Sequence, residues 1–493
     1  MVIVNSKIHD SFSIEIKTSF VVNKDKKEND FSMGLWLFVP NSLDVNTYNY
    51  GKKQFYRDIK SNVRLMIPIF DIYDICGENS IPYACLEKSL KKLTENRSSK
   101  TLSEFEYNVK MFSSIIKSSI RRRKEELASL ELNLSTLQAY EDTIENNKFI
   151  LDKYRKLYDT YLADASNKRR YQFFSLGDEY IGSLFEEFSF FLIKKIDSYN
   201  LDNDKFSSIR DSLVAFIRNE RLYRKSKGFV VLDKHNDEVN QYFIYRKNLL
   251  KKYIESHLFI NLEKREDGVA VKQIYYSIAA GLAMIFATMV AFITQIKYGS
   301  LSAALFVAMV ISYMLKDRIK ELVRHFFVHK LADRYFDNKA KVVVAGYDIG
   351  EHKEGVDFID ESKVPKEILT IRAQNSQFEA ENNILGEKVM LYREFVKLKN
   401  DTTLDVYDDY MFVGLNNIMR LHLNRFISKM DNPYIPVNLL NSDGQVETIN
   451  ALKIYNINFI IQLNQGSKIQ YKYYNCSLNR LGIQSLEELN TQF

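Results

Sequence analysis

Apolar residues run without a charged interruption from Ile274 to Ile296 and again from Tyr298 to Leu315, with Lys297 alone between them. As helix at ~1.5 Å per residue, the first run covers about 34 Å and the second about 27 Å, against a hydrocarbon core of ~30 Å. The pattern predicts a two-span transmembrane helical hairpin, with Gly299 and Ser300 bending the backbone at its turn.

Within the hairpin, small residues recur every four positions. Ala279, Ala283, Ala287 and Ala291 mark the first span, and Ser300, Ala304, Ala308 and Ser312 mark the second. That spacing lets two backbones approach closely, and in lipid such contact takes the place of a hydrophobic drive. It suits packing of the spans within one chain, and it suits self-association of hairpins. Ser277, Gly281, Met284, Thr288, Ala291 and Gln295 share a further face of the first span, a candidate polar or pore-lining row. Neither run holds an ionisable side chain other than tyrosine, so nothing points to a proton relay.

The flanks set an expected orientation. Lys264, Arg265 and Lys272 precede the hairpin, and Lys316, Arg318, Lys320, Arg324, Lys330 and Arg334 follow it. Basic residues are retained on the cytoplasmic side, so both termini are expected there, with only the turn outside, in a bacterial inner membrane. Lys316, Arg318, Lys320 and Arg324 fall where lipid headgroups would lie. Tyr275, Tyr276, Tyr298 and Tyr313 fall near the interfaces, where a ring with a polar tip is favoured.

Elsewhere the periods are those of a folded chain. Phe31 to Val39 alternates as a strand, and Ser13 to Val22 is a second candidate across a lysine-rich loop. Phe55, Tyr56, Ile59, Val63 and Met66 fit one helical face, and Tyr83 to Leu93 a short helix. Leu127, Leu130, Leu134 and Leu137 form a seam that Ile150, Tyr154, Leu157 and Tyr161 resume, the signature of a helical hairpin or a coiled coil. Ile181, Leu184, Phe185, Phe188, Phe191 and Leu192 make an aromatic stripe whose ordinary role is core packing. Helices are expected near Asp204 to Tyr223 and Asp237 to Leu258, and Lys316 to Tyr335 continues the second span. In the last third, Glu387 to Leu398, Val446 to Leu463 and Ile469 to Leu478 read as strands, and Tyr410 to Met430 as a helix.

The fold class predicted is mainly α with flanking α+β regions. The predicted domains are an N-terminal α+β domain at 1–100, a helical bundle at 101–262, the hairpin with its basic helix at 263–339, and a C-terminal α+β domain at 340–493. Composition changes this picture little. Of 493 residues, 46% are hydrophobic and 27% charged, which suits folded rather than disordered flanks. The net charge of +6 lies largely beside the hairpin and reads as topology and lipid contact, so nucleic acid is not expected as a partner. Met1 to Ser11 lacks the pattern of a cleaved signal. Cys76, Cys85 and Cys476 are too scattered for a metal pair or a disulfide framework.

Candidate chemistry is sparse. No phosphate loop, dinucleotide fingerprint, nucleophile elbow or zinc-peptidase motif is present. His325 and His329, four apart on a helix, are weak candidates for a metal but lack a third ligand. His422 reads as a core histidine. The run Arg121 to Lys124, followed by Glu125 and Glu126, reads as a solvated, charge-paired turn. Asp71, Asp74 and Glu78 have no special spacing. No cofactor and no catalytic activity are expected. The pattern implies a membrane-anchored, self-associating scaffold whose cytosolic domains bind a protein partner, with an oligomeric pore or membrane-perturbing effector as the alternative.

Overall fold

The computed structural model describes residues 2–23, 25–77, 79–131, 136–162, 168–199, 204–299, 303–332, 335–344, 347–374, 386–399, 410, 413–466 and 468–489. Among them are 11 α-helices and 14 strands in three sheets, which corrects the mainly-α expectation to a chain in which sheet is a major component. The chain forms two compact units. One comprises Met1–Val63, Ile260–Leu404 and Leu415–Phe493, and the other Arg64–Phe259 and Asp405–Gly414.

The sheet-containing unit is woven from both ends of the chain. Its eight-stranded sheet runs in the order β14 (Gly482–Leu489), β13 (Lys468–Asn479), β12 (Tyr455–Gln465), β3 (Glu28–Pro40), β8 (Glu387–Lys399), β7 (Tyr347–Ile359), β6 (Asn338–Val344), β5 (Arg265–Glu266). In β3, Trp36 stands opposite Ile460 on one side and Leu391 on the other. Val389 and Tyr473 join them in covering α10 (Lys366–Ala373) through its Ile368 and Ile371. β3 alternates buried and less buried positions from Glu28 to Leu35, and is buried without a break from Leu35 to Val39, where both faces are covered.

A four-stranded sheet orders β1 (Val2–Asp10), β2 (Ser13–Val21), β9 (Gly414–His422) and β4 (Ile59–Leu65). Two helical readings fail here. α1 (Lys52–Asp58) ends at Asp58, and Ile59 and Val63 belong to β4. The helix expected over Tyr410 to Met430 is instead β9 followed by the single turn α11 (Asn424–Ile427). Leu415, Asn417, Met419 and Leu421 are buried at every second position, the period of a strand rather than of a helix. The run Val446 to Leu463 is two strands. β11 (Val446–Leu452) pairs only with β10 (Tyr434–Leu440), while β12 enters the large sheet.

The second unit is helical: α2 (Ile81–Glu95), α3 (Ser99–Ser129), α4 (Leu137–Tyr161), α5 (Lys168–Ser198), α6 (Asp204–Ser226) and α7 (Asp237–Glu255). A capping box between Ser98 and Thr101 starts α3. The leucine seam is broken, because α3 stops at Ser129 and α4 starts at Leu137; Leu134 lies outside the described residues. Ile181, Phe185, Phe188 and Leu192 of α5 are fully buried with Phe112 of α3, Tyr154 of α4 and Leu213 of α6. The rings of Phe112, Tyr154 and Phe174 stack in series, at 5.8 Å and 4.6 Å.

Between β5 and β6 the chain leaves the sheet as two packed helices, α8 (Val269–Tyr298) and α9 (Ala303–Ala332). Here the two-span reading is corrected. Among the described residues one helix, over Val269–Lys297, is long and apolar enough to cross a membrane. Of the run Tyr298 to Leu315, Tyr298 ends α8 and residues 300–302 lie outside the described residues; α9, from Ala303, meets Lys316 after only about 13 residues, roughly 20 Å of uncharged helix against a core of ~30 Å.

Candidate membrane-contacting site

The base of the α8–α9 pair is clamped by the sheet. Arg265 and Glu266 of β5 stand opposite Lys339 and Asn338 of β6, and the Asp267 amide donates to the Asp337 carbonyl at 3.3 Å. Gly268, at φ +70°, turns the chain from β5 into α8, and any side chain there would collide with Tyr335. Lys264 reaches the buried Glu354 carboxylate at 2.6 Å, and Lys272 pairs with Glu266 at 2.6 Å. Entry and exit of the hairpin are therefore neighbouring strands of one sheet.

The small-residue stripes are used inside this chain. Ala279 and Ala283 are buried, Ala287 and Ala291 are half-buried, and Ala308 and Ser312 face them from α9. The Ser312 hydroxyl donates to the Ala287 carbonyl at 3.3 Å, and at the other end Tyr275 and Phe327 lie ring to ring at 4.7 Å. The helices thus run antiparallel along the alanine face. Ser300 and the side chain of Ala304 lie outside the described residues.

The remaining faces are bare. Only 11% of the most apolar part of α8 is buried. Ile285, Met289, Phe292 and Ile293 on α8, and Phe306, Val310, Ile311 and Met314 on α9, are all exposed. Such a continuous apolar surface is far larger than single exposed side chains on a soluble protein. Ser277, Gly281, Thr288 and Gln295 are exposed too, on α8 away from α9. The hydroxyls in that row are already satisfied: Ser277 donates to the Gln273 carbonyl, and Thr288 to Met284 and Ile285, each at 3.0 Å. A helix that supplies its own partners in this way tolerates a medium without water.

Below the apolar end, α9 becomes basic. Lys316 lies 3.8 Å from the centre of the Tyr313 ring, and the Arg324 guanidinium lies 4.1 Å from that of Tyr276 while also reaching Glu321 at 3.3 Å. Arg318 and Lys320 have no carboxylate partner among the described residues. His325 is exposed, the His329 side chain lies outside the described residues, and no three potential metal ligands gather among those that are described.

The other sequence candidates are drawn into packing. Arg122 and Arg123 both reach Glu126, and Arg123 also donates to the Ala139 carbonyl and the hydroxyls of Thr143 and Tyr73. Asp71 caps a short turn through the Tyr73 amide; Glu78 lies outside the described residues. His422, read as a core histidine, is instead exposed at the end of β9, with Nδ1 2.8 Å from the Ser13 hydroxyl. Burial pushes the Cys76 and Cys476 thiols up to about 12, the wrong direction for a nucleophile.

Two polar groupings were invisible in sequence. In the helical unit, Arg155 is held by Asp178 at 2.9 Å and Glu220 at 2.8 Å and stacks on Tyr223, beside a cavity of about 180 Å3 walled by Tyr158, Tyr171 and Phe174. In the large sheet, the buried Glu394 accepts from His352 at 2.8 Å and from Asn417 at 2.6 Å, and Glu354 accepts from Tyr392 at 3.1 Å. Neither presents a nucleophile beside a base, and in the second both bonds to Glu394 fall on Oε1 while its buried Oε2 has no partner among the described residues. No family model, no curated protein and no solved structure matches this chain.

Proposed function

We propose that this chain is a membrane-anchored scaffold, in which the α8–α9 pair holds two folded units against a lipid surface and the units serve as binding modules rather than catalysts. The observation that carries the reading is the uncovered apolar surface of the pair, which in water would cost roughly 25 cal/mol for each Å² left exposed. Sheet topology supports a sidedness. Because β5 and β6 are paired, α9 returns the chain to the side from which α8 leaves, and β3 and β12 belong to the same sheet. Both termini then share one compartment, and the basic residues beside the pair favour the cytoplasm. The helical unit follows, since the chain enters it from β4 and leaves it toward β5.

The test is extraction of membranes carrying the full chain. Resistance to alkaline carbonate is expected, with both termini open to protease on the same face of sealed vesicles. Replacing Ile285, Met289 and Phe292 by serine should release the protein. Carbonate release of the unaltered chain, or termini in opposite compartments, would overturn the reading.

The exposed row Ser277, Gly281, Thr288 and Gln295 favours a second reading, an oligomeric pore or membrane-perturbing effector lined by α8. It requires self-association through faces other than the alanine stripe, which α9 already occupies. Dye release from vesicles distinguishes it: a scaffold leaves them sealed, and a pore empties them.

A further inference from the structure

The two helices of the pair differ at the same height. The contacts Ala287 to Ser312 and Tyr275 to Phe327 fix their register, so Lys316, Arg318 and Lys320 of α9 lie beside the stretch of α8 around Ala279 and Ala283. At that height α8 turns Leu282, Met284 and Ile285 outward, exposed by 47%, 55% and 58%. One flank of the hairpin is therefore hydrocarbon and the other cationic.

No uniform medium suits that arrangement. Water around the whole section would leave Leu282, Met284 and Ile285 solvated, and hydrocarbon around it would strand Arg318 and Asp317 at a cost of several kcal/mol each. At the boundary between the two, with α8 toward acyl chains and α9 toward headgroups, both flanks are satisfied. Tyr276 and Tyr313, amphipathic rings suited to that boundary, lie at this section in contact with Arg324 and Lys316. Glu321 is taken by Arg324, so among the described residues Lys316, Arg318 and Lys320 are opposed only by Asp317 and remain open to an anion.

We infer that this cationic flank of α9 binds the phosphates of anionic phospholipids in the leaflet from which α8 enters, with the hairpin seated obliquely there. The inference rests on the anchoring reading and adds to it a lipid class and an orientation. Attachment then has an electrostatic part, sensitive to lipid charge and to salt, on top of the apolar part.

The experiment is flotation of the full-length chain, reconstituted from detergent, with vesicles of phosphatidylcholine alone or of phosphatidylcholine mixed with phosphatidylglycerol. Stronger partition into the anionic vesicles is expected, lost at high salt. The triple variant Lys316→Gln, Arg318→Gln, Lys320→Gln should weaken partition into anionic vesicles on the order of 100-fold, at about 1 kcal/mol for each cation, and leave the neutral vesicles unchanged. A variant with arginine at positions 316 and 320 keeps the charge and should keep the preference. Equal partition of the unaltered chain into both vesicle types, or a triple variant that keeps the preference, overturns the inference while anchoring stands. Partition into neither overturns anchoring itself.

Discussion

Helices α5 and α8 are of similar length and both rich in apolar residues, yet they satisfy them in opposite ways. α5 buries Ile181, Phe185, Phe188 and Leu192 completely, and it also buries Asp178, Glu179 and Glu186, each matched by an arginine from a neighbouring helix. α8 has no acidic residue and buries little beyond Ala279 and Ala283. A helix whose surroundings come from its own chain can carry charge inward, because partners are built to meet it. A helix whose surroundings come from outside carries only what that medium accepts. The difference between the two regions is thus less the amount of hydrophobicity than where the complementary surface comes from.

That contrast is sharpened most by aromatic truncation. Phe185→Ala should destabilise the helical unit by about 3–5 kcal/mol in urea unfolding, as a cavity opens in a closed core. Phe292→Ala on α8 should leave that unfolding unchanged, since the residue is 65% exposed and belongs to the other unit. Similar losses at the two positions would break the comparison. Added methyl groups probe the same point with a smaller effect. In Gly177→Ala the new Cβ would collide with the Tyr154 hydroxyl and Val109, for about 1–3 kcal/mol lost. At Gly281 nothing lies in the way, so Gly281→Ala should be neutral or should stabilise α8 by about 0.5–1 kcal/mol.

A pH measurement separates the regions further. Burial pushes His257, just after α7, down to about 4; the nearby Lys110 adds to this, and the bond from Nδ1 to the Ile254 carbonyl at 2.8 Å opposes it. The unfolded chain takes up the proton near pH ~6.5 while the folded chain does not, so stability is lost as pH falls through that range. The helical unit should lose about 2 kcal/mol between roughly pH 7 and pH 5. His257→Asn should flatten the slope, and an unchanged slope in that variant would assign it elsewhere.

Much of this could be read from local pattern, and the failures have a common cause. The charge-free stretch of α8 and the stripe on α5 are properties of one contiguous segment, so composition and spacing reveal them. The run Tyr298 to Leu315 misled because continuity of apolar residues was taken for continuity of helix, whereas the helix begins at Ala303. β9 misled because its buried Asn417 looks polar until Glu394 and Ser61, distant in the chain, are seen to bond it. The sheet order was out of reach for the same reason: the two neighbours of β3 come from β8 and β12, and nothing near β3 says so.

That order has a consequence for how the protein is made. Once β3 has left the ribosome, about 350 residues must follow before β8 arrives, a wait of roughly 20–70 s at synthesis rates of ~5–20 residues per second. Throughout that interval Phe31, Met33, Leu35 and Trp36 have neither flank covered, and α8 is complete for only about the last quarter of it. Nascent chains should therefore depend on a holding chaperone for their first forty residues, and under the anchoring proposal α8 would meet the bilayer before the sheet is assembled.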